Sequence, residues 1–185
     1  MNDVVLTLIG PDRTGLVEAV AEIVASHGGN WLESRMAHLA GRFAGVLRVE
    51  VPPERTQALT LALAGLADRG LKVVVETGMP RDASGRTVAL ELVGLDRPGL
   101  VKEISQLLAR HQLNVEELVT DRSSAPMSGE MLFRARARLH VQTGADLGPL
   151  RTALERLESD LMVEITLNDL APDGSEIRLT DRVRR

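Results

Sequence analysis

An eight-residue pattern, G-x-D-R-x-G-L-V, occurs twice in this chain of 185 residues and constrains its fold more than any other feature. The copies are Gly10–Val17 and Gly94–Val101, so they lie 84 residues apart (94 − 10 = 84). Because the matches include glycine, charged and amide residues as well as apolar ones, they indicate a duplicated unit. The same shift also aligns Val4 with Val88, Leu6 with Leu90, Leu8 with Leu92, His27 with His111 and Asn30 with Asn114.

The first copy of the motif separates a predicted strand from a predicted helix. An apolar, β-branched run precedes it, and Leu16, Val20, Ile23 and Val24 follow at helical spacing. The order that we predict for the first unit is β-α-β-β-α-β, the split-βαβ or ferredoxin-like arrangement. Its elements are a strand at 4–9, a helix from 16 to 27, strands at 30–39 and 43–51 joined by a turn at Gly41, a helix from 52 to 70, and a strand at 71–75.

The second unit repeats this order. We predict strands at 88–93, 114–120, 131–141 and 161–167, helices at 100–108 and after Asp146, and a loop at 123–129. The fold class is therefore α+β, with two antiparallel four-stranded sheets that carry helices on one face. The predicted boundaries are a first domain at 1–78, a linker at 79–86, a second domain at 87–169 and a flexible tail at 170–185.

Composition excludes several classes of function. The net charge is −4, and aromatic residues make up 2% of the chain, so neither the charge nor the stacking side chains of a nucleic-acid-binding surface are present. Arg134, Arg136 and Arg138 share a strand face that we interpret as solvated or as an interface, while Phe43 and Phe133 are predicted on the opposite, helix-facing side. The base-stacking RNA-recognition module is thereby excluded.

Targeting and metal signals are also missing from the sequence. There is no cysteine, no apolar run long enough to span a bilayer and no signal peptide, so we expect a cytoplasmic protein without membrane contact. The four histidines lack partners at metal-ligand spacing, and we expect neither a metal nor another cofactor.

The repeated turn is the candidate binding site. Free N–H groups at the start of a helix favour an anion, and Gly15 and Gly99 leave room for a ligand carboxylate to approach. Asp12 and Asp96 then offer a partner for an ammonium group. In the structural alternative these aspartates cap their helices, the glycines serve turn geometry, and Arg13 and Arg97 are solvated or ion-paired at the surface.

Two further repeated pairs have both a structural and a functional interpretation. His27 and His111 are predicted at helix C-termini, where a histidine interacts favourably with the helix dipole. Asn30 and Asn114 begin the second strand of each unit, which we expect to lie near the first loop. They are therefore predicted ligand contacts, with a turn or cap role as the alternative.

The two D-R-x-G-L-V motifs on this repeated background resemble tandem ACT domains. The segments Gly29–Ala37 and Asn114–Val119 resemble more closely the glycine cleavage system transcriptional repressor group. The resemblance covers about residues 3–169, with Trp31 in place of the usual aliphatic residue and Pro98 where the first copy has Thr14. It implies a regulatory module that binds an amino acid, commonly between paired domains. The implied ligand-binding residues are Gly10, Asp12, Arg13, Thr14, Gly15, Leu16, Asn30, Gly94, Asp96, Arg97, Pro98, Gly99, Leu100 and Asn114.

The predicted function is a non-catalytic sensor of glycine or a similar amino acid that modulates transcription or metabolism through a protein partner, without direct contact to nucleic acid. Exposed sheet edges favour a dimer. One alternative is an interaction adaptor whose loops bind nothing. Another is a small hydrolase like acylphosphatase, in which Arg13 and Asn30 would act together; it lacks that family's glycine-rich phosphate loop and an evident general base.

Overall fold

The computed structural model describes residues 1–78, 84–125 and 129–170. The chain divides into two compact units, the first ending at Arg81 and the second starting at Asp82. The first unit contains β1 (Asn2–Pro11), α1 (Leu16–Ser26), β2 (Asn30–Leu39), β3 (Arg42–Val51), α2 (Thr56–Ala64) and β4 (Lys72–Thr77). The second contains β5 (Arg86–Leu95), α3 (Leu100–Arg110), β6 (Asn114–Ser124), β7 (Met131–Val141), α4 (Gly148–Leu161) and β8 (Val163–Asp169).

Each unit has the predicted β-α-β-β-α-β order and one antiparallel sheet. The strand orders are β2-β3-β1-β4 and β6-β7-β5-β8, so the strand that precedes the repeated motif is central in both sheets. Its alternation sets the two faces, because successive side chains of a strand point to opposite sides. In β1, Val4, Leu6 and Leu8 are buried under the helices, while Thr7 and Ile9 are exposed on the outer face. The α+β, ferredoxin-like fold class is confirmed.

Aliphatic side chains form a separate core in each unit. Leu16, Val20 and Val24 recur every four residues along α1 and bury one stripe of that helix against the sheet. Phe133 is buried in the second core, and Phe43 packs against the first. Both phenylalanines therefore face the helices, as predicted, and neither lies on the outer face of its sheet.

Several element boundaries differ from the predicted ones. The helix predicted from 52 to 70 is an α-helix only over Thr56–Ala64, with 3-10 turns at Pro53–Arg55 and Gly65–Arg69 on either side. Leu161 and Met162 do not belong to the last strand, since Leu161 ends α4 and Met162 follows it with a φ of 52°. Asp146 is not the cap residue of α4, although its carboxylate accepts a hydrogen bond from the Gly148 N–H at 2.8 Å.

The two sheets share an irregularity that the sequence pattern does not reveal. The pairing of β2 with β3 shifts register between Trp31 and Glu33, and that of β6 with β7 shifts between Val115 and Glu117. These positions are again 84 residues apart, so the bulge is part of the duplicated unit. Of the predicted linker at 79–86, residues 79–83 lie outside the described residues, and β5 already begins at Arg86. The predicted tail lies outside them from residue 171 onward, and so do residues 126–128 of the predicted loop.

Candidate functional site

The motif glycines have two separate structural roles. Gly15 and Gly99 are the N-cap residues of α1 and α3 and have φ angles of 87° and 98°, in the left-handed region that favours glycine. Gly10 and Gly94 instead lie in strands that are closely approached by the neighbouring edge strand. A Cβ at Gly10 would stand 2.8 Å from the Gly70 carbonyl oxygen, and one at Gly94 would clash with the Val163 side chain. Packing and turn geometry therefore account for all four glycines.

The motif aspartates do not cap their helices. Neither α1 nor α3 has a side-chain hydrogen bond at its N-cap, so the first-turn N–H groups of both helices remain available. The backbone N–H of Asp12 donates to the Gly41 carbonyl, and that of Asp96 donates to the Met131 carbonyl. These hydrogen bonds fasten the motif to the hairpin of its own sheet. The capping alternative is wrong.

The aspartate side chains point to β2 and β6. Asp12 Oδ2 lies 3.7 Å from His38 Nε2, whereas Asp96 Oδ2 forms an ion pair of 2.6 Å with Arg122. His38 and Arg122 are themselves 84 residues apart, so they occupy the same position in the two units. The carboxylate that the sequence analysis assigned to a ligand ammonium thus lies near a side chain of the next strand in both units, and in the second unit it is ion-paired. Sequence reasoning missed His38 and Arg122, and the 84-residue shift is the signal that could have found them.

Arg13 and the two residues after it border a cleft of about 360 Å³ that lies entirely within the first unit. The start of α1 forms one wall, and the end of the 3-10 turn after α2 forms the other. The buried Leu66 and Leu71 supply apolar surface. The residues that line it are Arg13, Thr14, Gly15, Leu16, Ala19, Leu66, Asp68, Arg69 and Leu71. The cleft lies within the size range of small-molecule sites.

The charges around this cleft have both signs. Arg13 and Arg69 are exposed cations near the start of α1, whose free N–H groups add to the positive potential. Asp68 contributes a carboxylate to the same rim. In the described part of the chain, no ion pair or side-chain hydrogen bond engages Arg13, Asp68 or Arg69. Such a rim can receive a carboxylate and an ammonium group at once.

The corresponding turn of the second unit is closed by its own side chains. Arg97 Nη2 lies 3.1 Å from Glu103 Oε2, and Arg97 Nη1 lies 3.3 Å from Glu103 Oε1. The first helical turn explains the difference, because Glu103 aligns with Ala19 of the first unit, while Glu18 aligns with Lys102. The acidic residue of the second unit, Glu103, thus stands one position later in its helix than Glu18 does in the first, and its carboxylate reaches Arg97. The cation of the second motif is therefore already neutralised.

The structure does not bring Asn30 or Asn114 to the repeated turn of its own unit. Asn30 pairs with Glu50, which in turn pairs with Asp3 at the beginning of β1, whereas the turn follows Pro11 at the end of that strand. Eight residues of strand separate the two places, about 26 Å. The same holds for Asn114, which pairs with His140. The expectation that these asparagines lie near the first loop is wrong, because β2 and β1 run in the same direction.

The remaining predicted site residues divide between core and surface. The Leu100 side chain is buried in the core, and Leu16 is also buried although it lines the cleft. Thr14 and Pro98 are exposed. His27 ends α1, and its ring nitrogen Nδ1 lies 2.8 Å from the Ile23 carbonyl oxygen, in keeping with its predicted place at a helix C-terminus. Within residues 1–78, 84–125 and 129–170, no cluster of side chains with metal-ligand character occurs.

Comparison with known proteins identifies the first unit. Residues 2–76 match the family model of the ACT domain. This unit is an ACT domain. The second unit repeats its strand order and its bulge, so the resemblance to a tandem ACT-domain protein is confirmed.

The chain is also similar to named transcriptional repressors over most of its length. It is 26% identical over 168 residues to the glycine cleavage system transcriptional repressor of Escherichia coli (strain K12), a match that covers 89% of this chain and 88% of that one. The Shigella flexneri repressor of the same name gives the same values. The chain thus resembles a regulatory protein along nearly its whole length.

Solved structures agree on the fold. An unknown protein from Galdieria sulphuraria superposes with a TM-score of 0.79 and 28% identity, over 92% of this chain and 99% of that one. The structure of a candidate glycine cleavage system transcriptional repressor superposes with a TM-score of 0.66 and 23% identity, over 91% and 97% of the two chains. In the described residues, no helix has the length and apolar character needed to cross a membrane.

Proposed function

We propose that this protein is a non-catalytic, amino-acid-responsive regulator, and that the cleft beside Arg13 in its first ACT domain binds the amino acid. The cleft of about 360 Å³ with both signs of charge at its rim carries this proposal. The ligand carboxylate is received by Arg13, Arg69 and the first-turn N–H groups of α1, and Asp68 receives the ammonium group. Charge-assisted hydrogen bonds of this kind are roughly twice as strong as neutral ones.

The second unit is proposed to bind no amino acid at the equivalent turn. A ligand carboxylate there would compete with the Glu103 carboxylate, which the helix holds beside Arg97 and therefore at high effective concentration. Glycine is the first ligand to test, because the named relatives are repressors of the glycine cleavage system. The output is proposed to be altered binding of a protein partner that acts on transcription or metabolism.

A hydrolase of the acylphosphatase type loses its basis in this geometry. That interpretation required Arg13 and Asn30 to act on one phosphoryl group, and within the unit they lie at opposite ends of the sheet. The adaptor alternative keeps one supporting observation, namely that the turn of the second unit is occupied by its own Glu103. The two remaining functions differ in whether the first unit binds a ligand at all.

The deciding experiment is titration calorimetry of the full-length protein with glycine, serine, alanine and the other common amino acids. We expect saturable binding of one amino acid per chain. Arg13→Gln and Asp68→Asn should each weaken it by at least tenfold, because each removes one half of the charge complement. The matched control is Arg97→Gln, which makes the same change at the closed turn and should leave affinity unchanged. Absence of heat with every amino acid would refute the sensor and favour the adaptor.

A further inference from the structure

The outer face of the first sheet carries a contiguous aliphatic surface that the helices do not cover. It consists of Thr7, Ile9, Ala44, Val46 and Val74, here called the outer patch. Ile9 is 44% exposed, Val46 48% and Val74 43%. Register places them side by side on three neighbouring strands, because Thr7 pairs with both Val46 and Val74, and Ile9 pairs with Ala44. Exposed patches of this kind commonly mark interaction sites.

The second unit serves as an internal comparison, since it builds the same sheet without this patch. By register, Thr7 corresponds to Glu91 and Val46 to Arg136, and those two side chains form an ion pair of 3.2 Å across the strands. Ala44 corresponds to Arg134 and Val74 to Thr166, while Ile9 corresponds to Val93, the one position of the five that is aliphatic in both units. The fold therefore tolerates charged and polar side chains at these positions. Aliphatic residues in the first unit are not required to form the sheet.

We propose that the outer patch is the interface of a two-fold symmetric dimer, formed by a second copy of this chain with the two first-unit sheets stacked face to face. A two-fold axis crossing the strands at the level of Thr7, Val46 and Val74 stacks these three residues on their own copies. It places Ile9 opposite Val5 and Ala44 opposite Arg48 of the second copy. Two stacked sheets bury such faces at a separation of about 10 Å.

Charges at the rim complement one another in this arrangement. On β4, Lys72 and Glu76 lie two residues before and after Val74 and point to the same exposed face. The proposed axis passes through Val74, so Lys72 of one copy lies opposite Glu76 of the other, and the pair forms twice. On β2, at the other edge of the sheet, the axis places Arg35 opposite Arg35 of the second copy. Each of these arginines is already ion-paired with Glu33 of its own strand. A rim of paired charges around an apolar centre is typical of protein interfaces.

The size of the face fits a stable dimer. Four strands spaced about 4.8 Å apart, the longest of them ten residues at about 3.3 Å each, give a sheet of about 19 Å by about 33 Å. This is roughly 600 Å² in projection, and the accessible area of its corrugated surface is larger. A standard interface buries about 800 Å² per partner. The whole outer face, with the charged residues around the outer patch included, therefore has about the area that one partner of a standard interface buries.

Sedimentation velocity of the full-length protein from about 1 to about 100 μM tests the dimer. We expect a dimer whose dissociation constant rises at least a hundredfold in the double variant Thr7→Glu/Val46→Arg, which carries the cross-strand pair that the second unit already has. Lys72→Glu should weaken the dimer at least tenfold by opposing two acids, and adding Glu76→Lys should restore it. Glu164→Lys, a charge reversal at the position of the second unit that corresponds to Lys72, should have no effect.

Two outcomes overturn the proposal. One is a wild-type protein that stays monomeric throughout this concentration range. The other is a dimer that is unchanged in Thr7→Glu/Val46→Arg, with circular dichroism and urea unfolding showing that the variant is folded, since association then uses another surface such as a sheet edge. If Lys72→Glu weakens the dimer and Lys72→Glu/Glu76→Lys does not restore it, the proposed axis is refuted.

Discussion

Gly10 shows how a single residue of the repeated motif is fixed by packing. A Cβ there would meet the Gly70 carbonyl oxygen at 2.8 Å and the Leu71 Cα at 3.2 Å, and backbone atoms cannot rotate away. We expect Gly10→Ala to destabilise the first unit by about 1–3 kcal/mol, the usual cost of overpacking. The matched control is Gly65→Ala, because Gly65 has α-helical angles and a Cβ added there would have nothing within 4 Å. It should stabilise by about 0.4–1 kcal/mol.

Urea unfolding compares the two glycine variants with the wild type. Relative to the wild type, the free energy of unfolding should fall in Gly10→Ala and rise in Gly65→Ala. A Gly10→Ala protein as stable as the wild type would show that β4 can move away from β1 at little cost.

Asp3 connects a single ion pair to the pH dependence of stability. The Arg48 guanidinium donates hydrogen bonds of 2.6 to 2.9 Å to both Asp3 oxygens, and these bonds lower the pKa of the Asp3 carboxyl. A lowered folded-state pKa means that the unfolded chain binds the proton first as pH falls. The stabilisation is therefore complete above the unfolded-state pKa of about 3.9 and is lost as pH falls through the lower folded-state value.

We expect Asp3→Asn to remove this part of the pH dependence. Its urea midpoint should lie below that of the wild type at pH 7, and the difference should shrink toward pH 3. Glu22→Gln on the exposed side of α1 is the control, since it changes the same net charge without touching Arg48. A difference that stays constant from pH 7 to pH 3 would contradict the assignment to the carboxyl.

At the scale of elements, the first turn of the motif helix decides whether the arginine is available. In α3, Glu103 pairs with Arg97 and follows Lys102, while the same two positions in α1 are Ala19 and Glu18. We expect the double variant Glu18→Lys/Ala19→Glu to pair Arg13 internally and to weaken amino-acid binding at least tenfold. The change in stability should stay within about 1 kcal/mol, as for other exposed ion pairs.

Calorimetry on the folded double variant measures this effect. Glu103→Ala in α3 is the control and should leave the affinity of the first unit unchanged. Unaltered binding by Glu18→Lys/Ala19→Glu would mean that Arg13 is not the carboxylate contact.

The elements also show what the sequence alone could predict. Flanking glycines were enough for β2 and alternation was enough for β7; the predicted bounds of both strands agree with the structure, because turn residues and alternation are local signals. The helix predicted from 52 to 70 failed in its second half, where Gly65 begins a tighter turn. The placement of Asn30 failed for a different reason, since only strand direction and register decide which end of a sheet a residue occupies. Side-chain partners such as His38 and Glu103 required the folded geometry.

At the scale of the whole molecule, the two copies of one fold have diverged in complementary ways. In the first unit, Arg13 borders the cleft without an ion pair to any described residue, and the outer face of the sheet carries aliphatic side chains. In the second unit, Arg97 is paired with Glu103, and the outer face of the sheet carries charged side chains such as Glu91 and Arg136. Both differences concern the same two features, the arginine of the repeated turn and the outer face of the sheet, and in both the first unit has the more open arrangement.

This division predicts where a ligand stabilises the chain. A ligand that binds only the folded first unit raises the stability of that unit by about 2.7 kcal/mol at a concentration one hundred times its Kd. Hydrogen exchange of the full-length protein with saturating glycine, or with the amino acid found by calorimetry, should therefore slow at amides of β1, α1 and β4. The Arg13→Gln variant, with its weakened site, should show much less slowing at the same concentration.

Amides of β5, α3 and β8 provide the internal control, since they occupy the same places in the second unit and are expected to exchange unchanged. Equal slowing in both units would require either a second bound ligand, which contradicts a single site, or unfolding of the two units as one, which does not. The Glu103→Ala variant separates these two cases: a ligand that competes with Glu103 for Arg97 binds more tightly when that carboxylate is removed, whereas coupled unfolding is unaffected by it.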